Sequence, residues 1–290
     1  MSKKDKNIFF YIIMVLPALM LMSLFLLFPT FWGVIISLTD LSLLGPSARH
    51  PKFVGLLNYI NLLSDPLFYH SLTLTVWFVI GSAIIGQFLL GLFIAIITYG
   101  KGDLLFKIAT GLMITSWILP ETVFAYIWLA YLGRDGLLNQ LLRLVGVGPI
   151  PWLVEYPLQS IIVANIWRGT AWSWMLFSSA LKSVPKEIFD VADVDGVSLW
   201  QKARYITIPL IKRHIVTDLI LITLWTFNQF GWVYAMTGGG PAFRTLLITI
   251  YAYLRAFKYL ELGPGAAIAI VVFLINLFVT IAYLKLIRGE

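Results

Sequence analysis

Six apolar runs, each as long as a membrane is thick, govern what this chain can fold into. A helix needs about 20 apolar residues to cross the hydrocarbon layer. The runs are Ile8–Leu38, Ser71–Tyr99, Lys107–Leu132, Leu158–Leu181, Lys212–Met236 and Ala266–Leu286. Several exceed that minimum, which allows tilt or extension beyond the membrane. The third, fourth and fifth carry polar interruptions. Of the 290 residues, 60% are hydrophobic and 12% charged, against roughly 25% charged in an ordinary soluble domain. With a mean hydropathy of +0.88, a soluble enzyme could not hide this much apolar surface. The expectation is an all-α integral membrane protein with six transmembrane helices, forming one domain over 1–290.

The first run follows Lys3, Lys4 and Lys6. It is much longer than the 7–15 residues of a signal-peptide core and has no small-residue cleavage site after it, so it reads as a retained anchor helix. Pro17 and Pro29 should kink it or mark its exit, since each removes a backbone donor. Six crossings put both termini on one side. Most of the 21 basic residues fall on that side. Only Arg49, Lys52, Arg134, Arg143, Arg244, Arg255 and Lys258 fall opposite, with Arg168 inside the fourth run. The bias places both termini in the cytoplasm. It also explains the net charge of +7 without nucleic acid. There is no cysteine, which excludes disulfides, thiolate metal sites and a cysteine nucleophile. His50, His70 and His214 are too scattered in sequence for a metal cluster to be expected.

The loop between the fourth and fifth runs, residues 183–209, carries the sharpest pattern. Pro185 suits the first position of a helix, and Glu187 and Asp190 sit near the positive end of its dipole. Ile188, Val191, Ala192 and Asp195 fall at helical spacing, a narrow apolar stripe ending in a carboxylate. Gly196 can take the left-handed conformation that ends a helix. Ser198 and Gln201 are spaced as a capping box, opening a second short helix that runs to Pro209. Such a helix–Gly–helix unit is either an amphipathic connector on the lipid surface or a docking surface for a cytoplasmic partner. The acidity of Glu187, Asp190, Asp193 and Asp195 counts against anionic lipid.

Asp190-Val-Ala-x-x-x-Gly196, followed after nine residues by Ile206-x-Ile-Pro209, resembles the E-A-A, three residues, G, nine residues, I-x-L-P loop of ABC-importer permeases. Asp replaces Glu, Val the first Ala, and Ile208 a Leu. Thr237-Gly238-Gly239-Gly240-Pro241 is similar to the T-G-G-G-P of carbohydrate-importer permeases. Phe53-Val-Gly-Leu-x-Asn58-Tyr, Gly136-x-x-Asn139 and Arg255-Ala-Phe257 agree with it too. The resemblance implies a type I ABC-importer (MetI-like) permease fold with a cytoplasmic coupling helix, in a prokaryotic cell membrane. It implies a second, different permease chain, two cytoplasmic ATPase subunits that bind ATP and magnesium, and an extracytoplasmic sugar-binding protein. No cofactor is expected on this chain, which has no G-x-x-x-x-G-K-[ST] phosphate loop. In this reading Glu187, Asp190, Ala192, Asp195 and Gly196 carry the coupling.

Polar groups inside spans are expensive and default to function. They are Glu121 beside Pro120, Asn165, Trp167, Arg168 and Gly169 in the fourth run, and Thr226, Asn228 and Gln229 in the fifth. Amides and carboxylates hydrogen-bond sugar hydroxyls, and aromatic faces such as Trp167, Trp172, Trp174, Trp225 and Trp232 cover their C–H surfaces. The alternatives are interfacial tryptophans and amides that join helices. Arg168 has two candidate ion-pair partners, Glu121 and Asp218. An ABC permease for glycerol phosphate or another small polar solute, and an ion-coupled secondary transporter, which commonly shows inverted repeats, remain the competing readings.

Overall fold

A computed structural model describes residues 3–100 and 103–288. Lys101, and the side chains of Lys3, Lys4, Lys6 and Arg288, lie outside the described residues. In chain order the α-helices are α1 (Lys3–Met22), α2 (Phe28–Ser37), α3 (Leu57–Leu63), α4 (Pro66–Phe78), α5 (Phe88–Thr98), α6 (Asp103–Ile118), α7 (Glu121–Leu132), α8 (Leu137–Leu144) and α9 (Trp152–Glu155). They continue with α10 (Pro157–Lys182), α11 (Lys186–Val194), α12 (Leu199–Lys202), α13 (Ile208–Leu210), α14 (Lys212–Phe227), α15 (Gly231–Thr237), α16 (Ile248–Tyr253) and α17 (Leu262–Arg288). No strand forms among the described residues; Thr39 and Phe53 make one isolated bridge.

Among the described residues, three helical stretches are long and apolar enough to cross a membrane: Met14–Ser37, Pro66–Thr98 and Leu262–Lys285. Two bent pairs would bring the number to five, Phe106–Ile118 with Glu121–Leu144 at 105° and Lys212–Phe227 with Gly231–Thr237 at 44°. The third run is thus not one helix. Pro120 sits at φ −56°, ψ 143° and separates α6 from α7, as expected of a residue that cannot donate to the preceding turn. The fifth run breaks at Asn228–Phe230. The fourth corresponds to α10, which is long enough at 26 residues but polar along one side. The first run does not exit at either proline. Pro17 lies inside α1, and the wider π-helical turn Ser23–Leu27 precedes Pro29, after which the helix continues to Ser37.

The chain forms two compact units. The first comprises Met1–Pro66 with Ala252–Phe273. Its first apolar helix buries nothing over its most apolar window. Beyond it, Asn58 donates to the Ser37 and Thr39 carbonyls, both at 2.8 Å, and the Tyr59 hydroxyl lies 2.6 Å from Ser37 Oγ. Those bonds are what the Asn58-Tyr59 motif does. The Asp40 carboxylate accepts the Lys52 N–H at 2.6 Å and the Ser47 hydroxyl at 3.0 Å. The Lys52 N–H holds the Asp40 carboxyl below its ordinary range. Arg255 pairs with Glu261 at 3.2 Å.

The second unit comprises Leu67–Tyr251 with Leu274–Glu290. Its axis is α10, which packs on α5, α6, α14 and the π-helical stretch Val79–Gln87 that joins α4 to α5. The contact is made by small residues. A Cβ on Gly91 would overlap Ser173, and a Cβ on Gly169 would overlap the Gln87 side-chain amide. Close backbone approach of this kind is what holds helices together where lipid supplies no hydrophobic drive. The same unit contains a hydrogen-bonded loop knot. Asn139 donates to the Gly133 and Ile150 carbonyls and accepts from the Ile150 N–H and Trp152 Nε1, all within 3.1 Å. The Thr-Gly-Gly-Gly-Pro turn follows α15. Gly238 and Gly239 take φ of +58° and +89°, and fully buried Thr245 sits 2.8 Å from Thr237 Oγ1 and 2.7 Å from the Gly240 carbonyl. Arg244 then bonds the Val154 and Glu155 carbonyls. Gly238, Gly239, Gly240 and Pro241 therefore close a packed turn.

Candidate functional site: a polar cavity and an acidic loop on one helix

The breaks in the third and fifth runs open onto the same place. A cavity of about 400 Å³, within the range of small-molecule sites (about 300–1,000 Å³), lies beside the middle of α10. From α10 come Asn165, Arg168 and Gly169; from the end of α14 and the break after it come Thr226, Asn228 and Gln229. Glu121 enters from the first turn of α7. The structure thus brings together seven of the eight pathway residues read from the sequence. Trp167 is the exception. Its ring stacks on Phe124 at 5.8 Å and meets Trp128 at 6.2 Å, and it does not line the cavity.

Of Arg168's two candidate partners, Glu121 is the one within reach. Nη1 stands 3.9 Å from Glu121 Oε1, beyond hydrogen-bond range, and makes no hydrogen bond. The guanidinium also lies 5.2 Å from the centre of the Phe124 ring. Asp218 stays fully buried elsewhere, with neither oxygen hydrogen-bonded. Asn165, 3% exposed, donates through Nδ2 to Ser82 Oγ at 2.8 Å and to Thr226 Oγ1 at 3.3 Å. Asn228 donates to the Leu224 carbonyl at 2.7 Å and accepts from Asn276 at 3.2 Å.

Sequence reasoning missed Gln87, Trp117, Phe230 and Gly231, which also line the cavity, and Ser82, which holds Asn165. Trp117, Trp172 and Trp225 form a cluster with centroids 4.6–5.6 Å apart, so Trp225 and Trp117 wall the cavity while Trp172 supports them. Trp174 and Trp232 are core residues, 2% and 0% exposed. The overlooked signal is the five-residue spacing of Gly81, Gly86 and Gly91. These three glycines meet Ile162, Ile166 and Ser173, so their spacing shows which face meets α10.

Three residues beyond α10 the acidic loop begins. Glu187 and Asp190 are exposed on α11, and Asp195 is exposed at its end. Gly196 has φ +68°, with the Val197 N–H on the Ala192 carbonyl and the Gly196 N–H on that of Asp193, which is a Schellman ending. The Ser198–Gln201 capping box forms with both bonds present. Asp193 pairs with Lys202 and so ties α11 to α12. The apolar stripe differs from expectation. Phe189 and Ala192 are the buried residues, while Ile188 and Val191 are 38% and 60% exposed. The register follows Phe189, which packs at 4.8 Å on Tyr99 and joins a core with Leu92, Trp174, Phe177, Leu181 and Ile211. Ala192 is therefore packed inward, against its own bundle.

Residues 87–289 match the family described as "Binding-protein-dependent transport system inner membrane component". Over 288 residues the chain is 34% identical to the trehalose/maltose transport system permease protein MalF of Thermococcus litoralis, spanning 94% of this chain and 92% of the relative. It is 29% identical, over 96% of itself and 90% of the relative, to the sulfoquinovosyl glycerol transport system permease protein SmoG of Agrobacterium fabrum. A crystallised bacterial alginate ABC transporter, in complex with an alginate pentasaccharide-bound periplasmic protein, contains a chain of the same fold. The TM-score is 0.82 at 18% identity, over 97% of this chain and 94% of that one. With two-thirds of its length under the family pattern and a relative at this identity along nearly all of it, the chain belongs to the binding-protein-dependent transport system inner membrane components.

Proposed function

We propose that this chain is the permease subunit of an ATP-driven sugar importer, forming half of the pathway through a prokaryotic cytoplasmic membrane. It would cross six times with both termini inside, α10 and the two bent pairs each counting as one crossing. A polar α10 fits that role because Ser160, Asn165, Thr170, Ser173 and Ser178 are buried within the protein rather than exposed to lipid. The partners would be a second permease chain, two ATPase subunits holding ATP and magnesium, and an extracytoplasmic sugar-binding protein. The relatives named for trehalose/maltose and for sulfoquinovosyl glycerol support sugar as the cargo.

The observation that carries this reading is the continuity of α10. Asn165, Arg168 and Gly169 face the cavity from its middle, and Lys182 ends it only Ser183, Val184 and Pro185 away from the acidic helix α11. At about 1.5 Å per residue, roughly 25 Å of unbroken helix separates Asn165 from Lys182. A shift in one end would be carried to the other through the helix itself and through the core in which Phe189 packs with Leu92, Trp174, Phe177 and Leu181. Glu187, Asp190 and Asp195 would meet basic groups or helix N-termini of the ATPase, and Gly196 would set the bend that presents them.

The test is reconstitution of the complete transporter with its binding protein. ATP hydrolysis should rise when loaded binding protein is added, and Gly196→Trp should abolish that rise while the chain still reaches the membrane. The nearest atoms to a Cβ at Gly196 are more than 4 Å away, so a loss there reports docking and backbone conformation rather than a clash within this chain. Solute import by this chain without any nucleotide-hydrolysing companion would overturn the assignment in favour of an ion-coupled carrier.

A further inference from the structure

We infer that the cavity selects an uncharged polyhydroxy ligand by the polarity of its hydrogen bonds, with Ser82 the positioning residue that aims the Asn165 carbonyl at it. This rests on the sugar-pathway reading above and narrows its substrate class to unphosphorylated, non-acidic carbohydrate.

The argument starts with one proton. Ser82 Oγ, buried in the π-helical stretch, donates to the Phe78 carbonyl at 2.6 Å. A hydroxyl has a single proton to donate, so Ser82 can only accept from Asn165. That fixes the orientation of the Asn165 amide. Reversed, it would set Oδ1 against a hydroxyl oxygen with no proton to share. In the orientation fixed this way, Nδ2 serves Ser82 at 2.8 Å and Thr226 at 3.3 Å, which uses both amide protons. The remaining polar end is Oδ1, to which no described residue donates. The cavity is therefore presented with an acceptor.

The charged pair has the same bias. Glu121 offers carboxyl acceptors on a half-exposed side chain, and Arg168 stands 3.9 Å from it with Nη1 unbonded. A hydroxyl between them donates to the carboxylate and accepts from the guanidinium, closing a gap too wide for a direct bond. A phosphate or carboxylate group brings acceptors only. Seated here it would satisfy Arg168 but face the Glu121 carboxylate and the Asn165 oxygen, like against like, in place of the hydroxyl it replaces. Glu121 and Arg168 are the charged residues among those lining the cavity, so its formal charge sums to zero and gives an anion no net attraction. Trp117 and Trp225 supply flat apolar walls for the C–H faces of a sugar ring.

The experiment uses the full chain in lipid nanodiscs with its co-purified partners, titrated calorimetrically with matched neutral and anionic probes. The pairs are glucose with glucose 6-phosphate, galactose with galacturonate, and glycerol with glycerol 3-phosphate, with maltose and trehalose added as neutral disaccharides. The neutral probes should bind about tenfold or more tightly than the anionic ones, one charge-assisted hydrogen bond's worth. Ser82→Ala, which also costs some stability by leaving Asn165 Nδ2 without its closer acceptor, should weaken neutral binding by about tenfold in the protein that remains folded, and Ser82→Thr should restore it. Glu121→Gln, which keeps the size of a half-exposed side chain, should narrow the neutral-over-anion ratio. An anionic probe binding as well as its neutral twin would overturn the inference, as would unaltered affinity in Ser82→Ala or an unaltered ratio in Glu121→Gln. If no probe binds at all, the failure is of the underlying reading that this chain holds a sugar site.

Discussion

Single residues in this chain are held by specific backbone partners, and Asp40 is a case that pH can address. Its carboxylate joins two ends of a loop through the Lys52 N–H and Ser47 hydroxyl, and the first of these lowers its pKa. A depressed acid contributes stability above its unfolded value, about 3.9, and loses it as pH falls through the lower folded value. Protection from hydrogen exchange at residues 38–54, taken relative to the intrinsic rate at each pH, should therefore hold down to about pH 4 and fall below it. In Asp40→Asn protection should be lower and flat across that range; a wild-type protection profile that is also flat would show the carboxylate is idle. Residues of this kind were legible in sequence when their partners were local, as with Gly196 and the Ser198–Gln201 box. Ser82 was not, because what matters about it is a hydrogen bond to Asn165, 83 positions away.

At the scale of elements, the informative fact is where helices break. Pro120 announces the α6–α7 break in sequence, whereas the break at Asn228–Phe230 has no proline or glycine before Gly231 and reads there as a polar patch in a continuous run. The π-helical winding of Val79–Gln87 was equally hidden, since a plain apolar run conceals which way it is wound. The α11 stripe was misjudged by one residue for a related reason. Helical spacing permits Ile188–Val191 or Phe189–Ala192, and the bulkier aromatic finds Tyr99. Phe189 is therefore the bolt between the acidic loop and the bundle. Phe189→Ala should destabilise by about 3 kcal/mol, typical of a large buried aromatic, and reduce transport far more than basal ATP hydrolysis. Phe189→Leu should retain most of both. Equal loss of the two activities would mean that Phe189 merely keeps the chain folded.

For the whole molecule, helical class and membrane location were readable from run length alone, while the number of crossings depends on how the bent pairs are counted. The absence of cysteine makes the topology directly measurable, because a single introduced thiol has no background. In intact cells a membrane-impermeant maleimide should label Arg49→Cys and Val147→Cys and leave Tyr205→Cys unlabelled until the membrane is opened. The opposite pattern would invert the orientation and detach the acidic loop from any cytoplasmic motor.

One feature of α10 limits how this architecture can vary. The α6–α7 and α14–α15 pairs are broken beside the cavity, but α10 passes it without interruption. Its Asn165 and its exit at Lys182 are consequently locked in angular phase, as teeth on one shaft. Inserting a single residue between Thr170 and Leu181 would turn the far end by about 100° while leaving every side chain chemically intact. The spacing in that stretch is thus a mechanical dimension, set in whole residues, and a permease of this kind has freedom to change what it grips more readily than how far the grip lies from its handle.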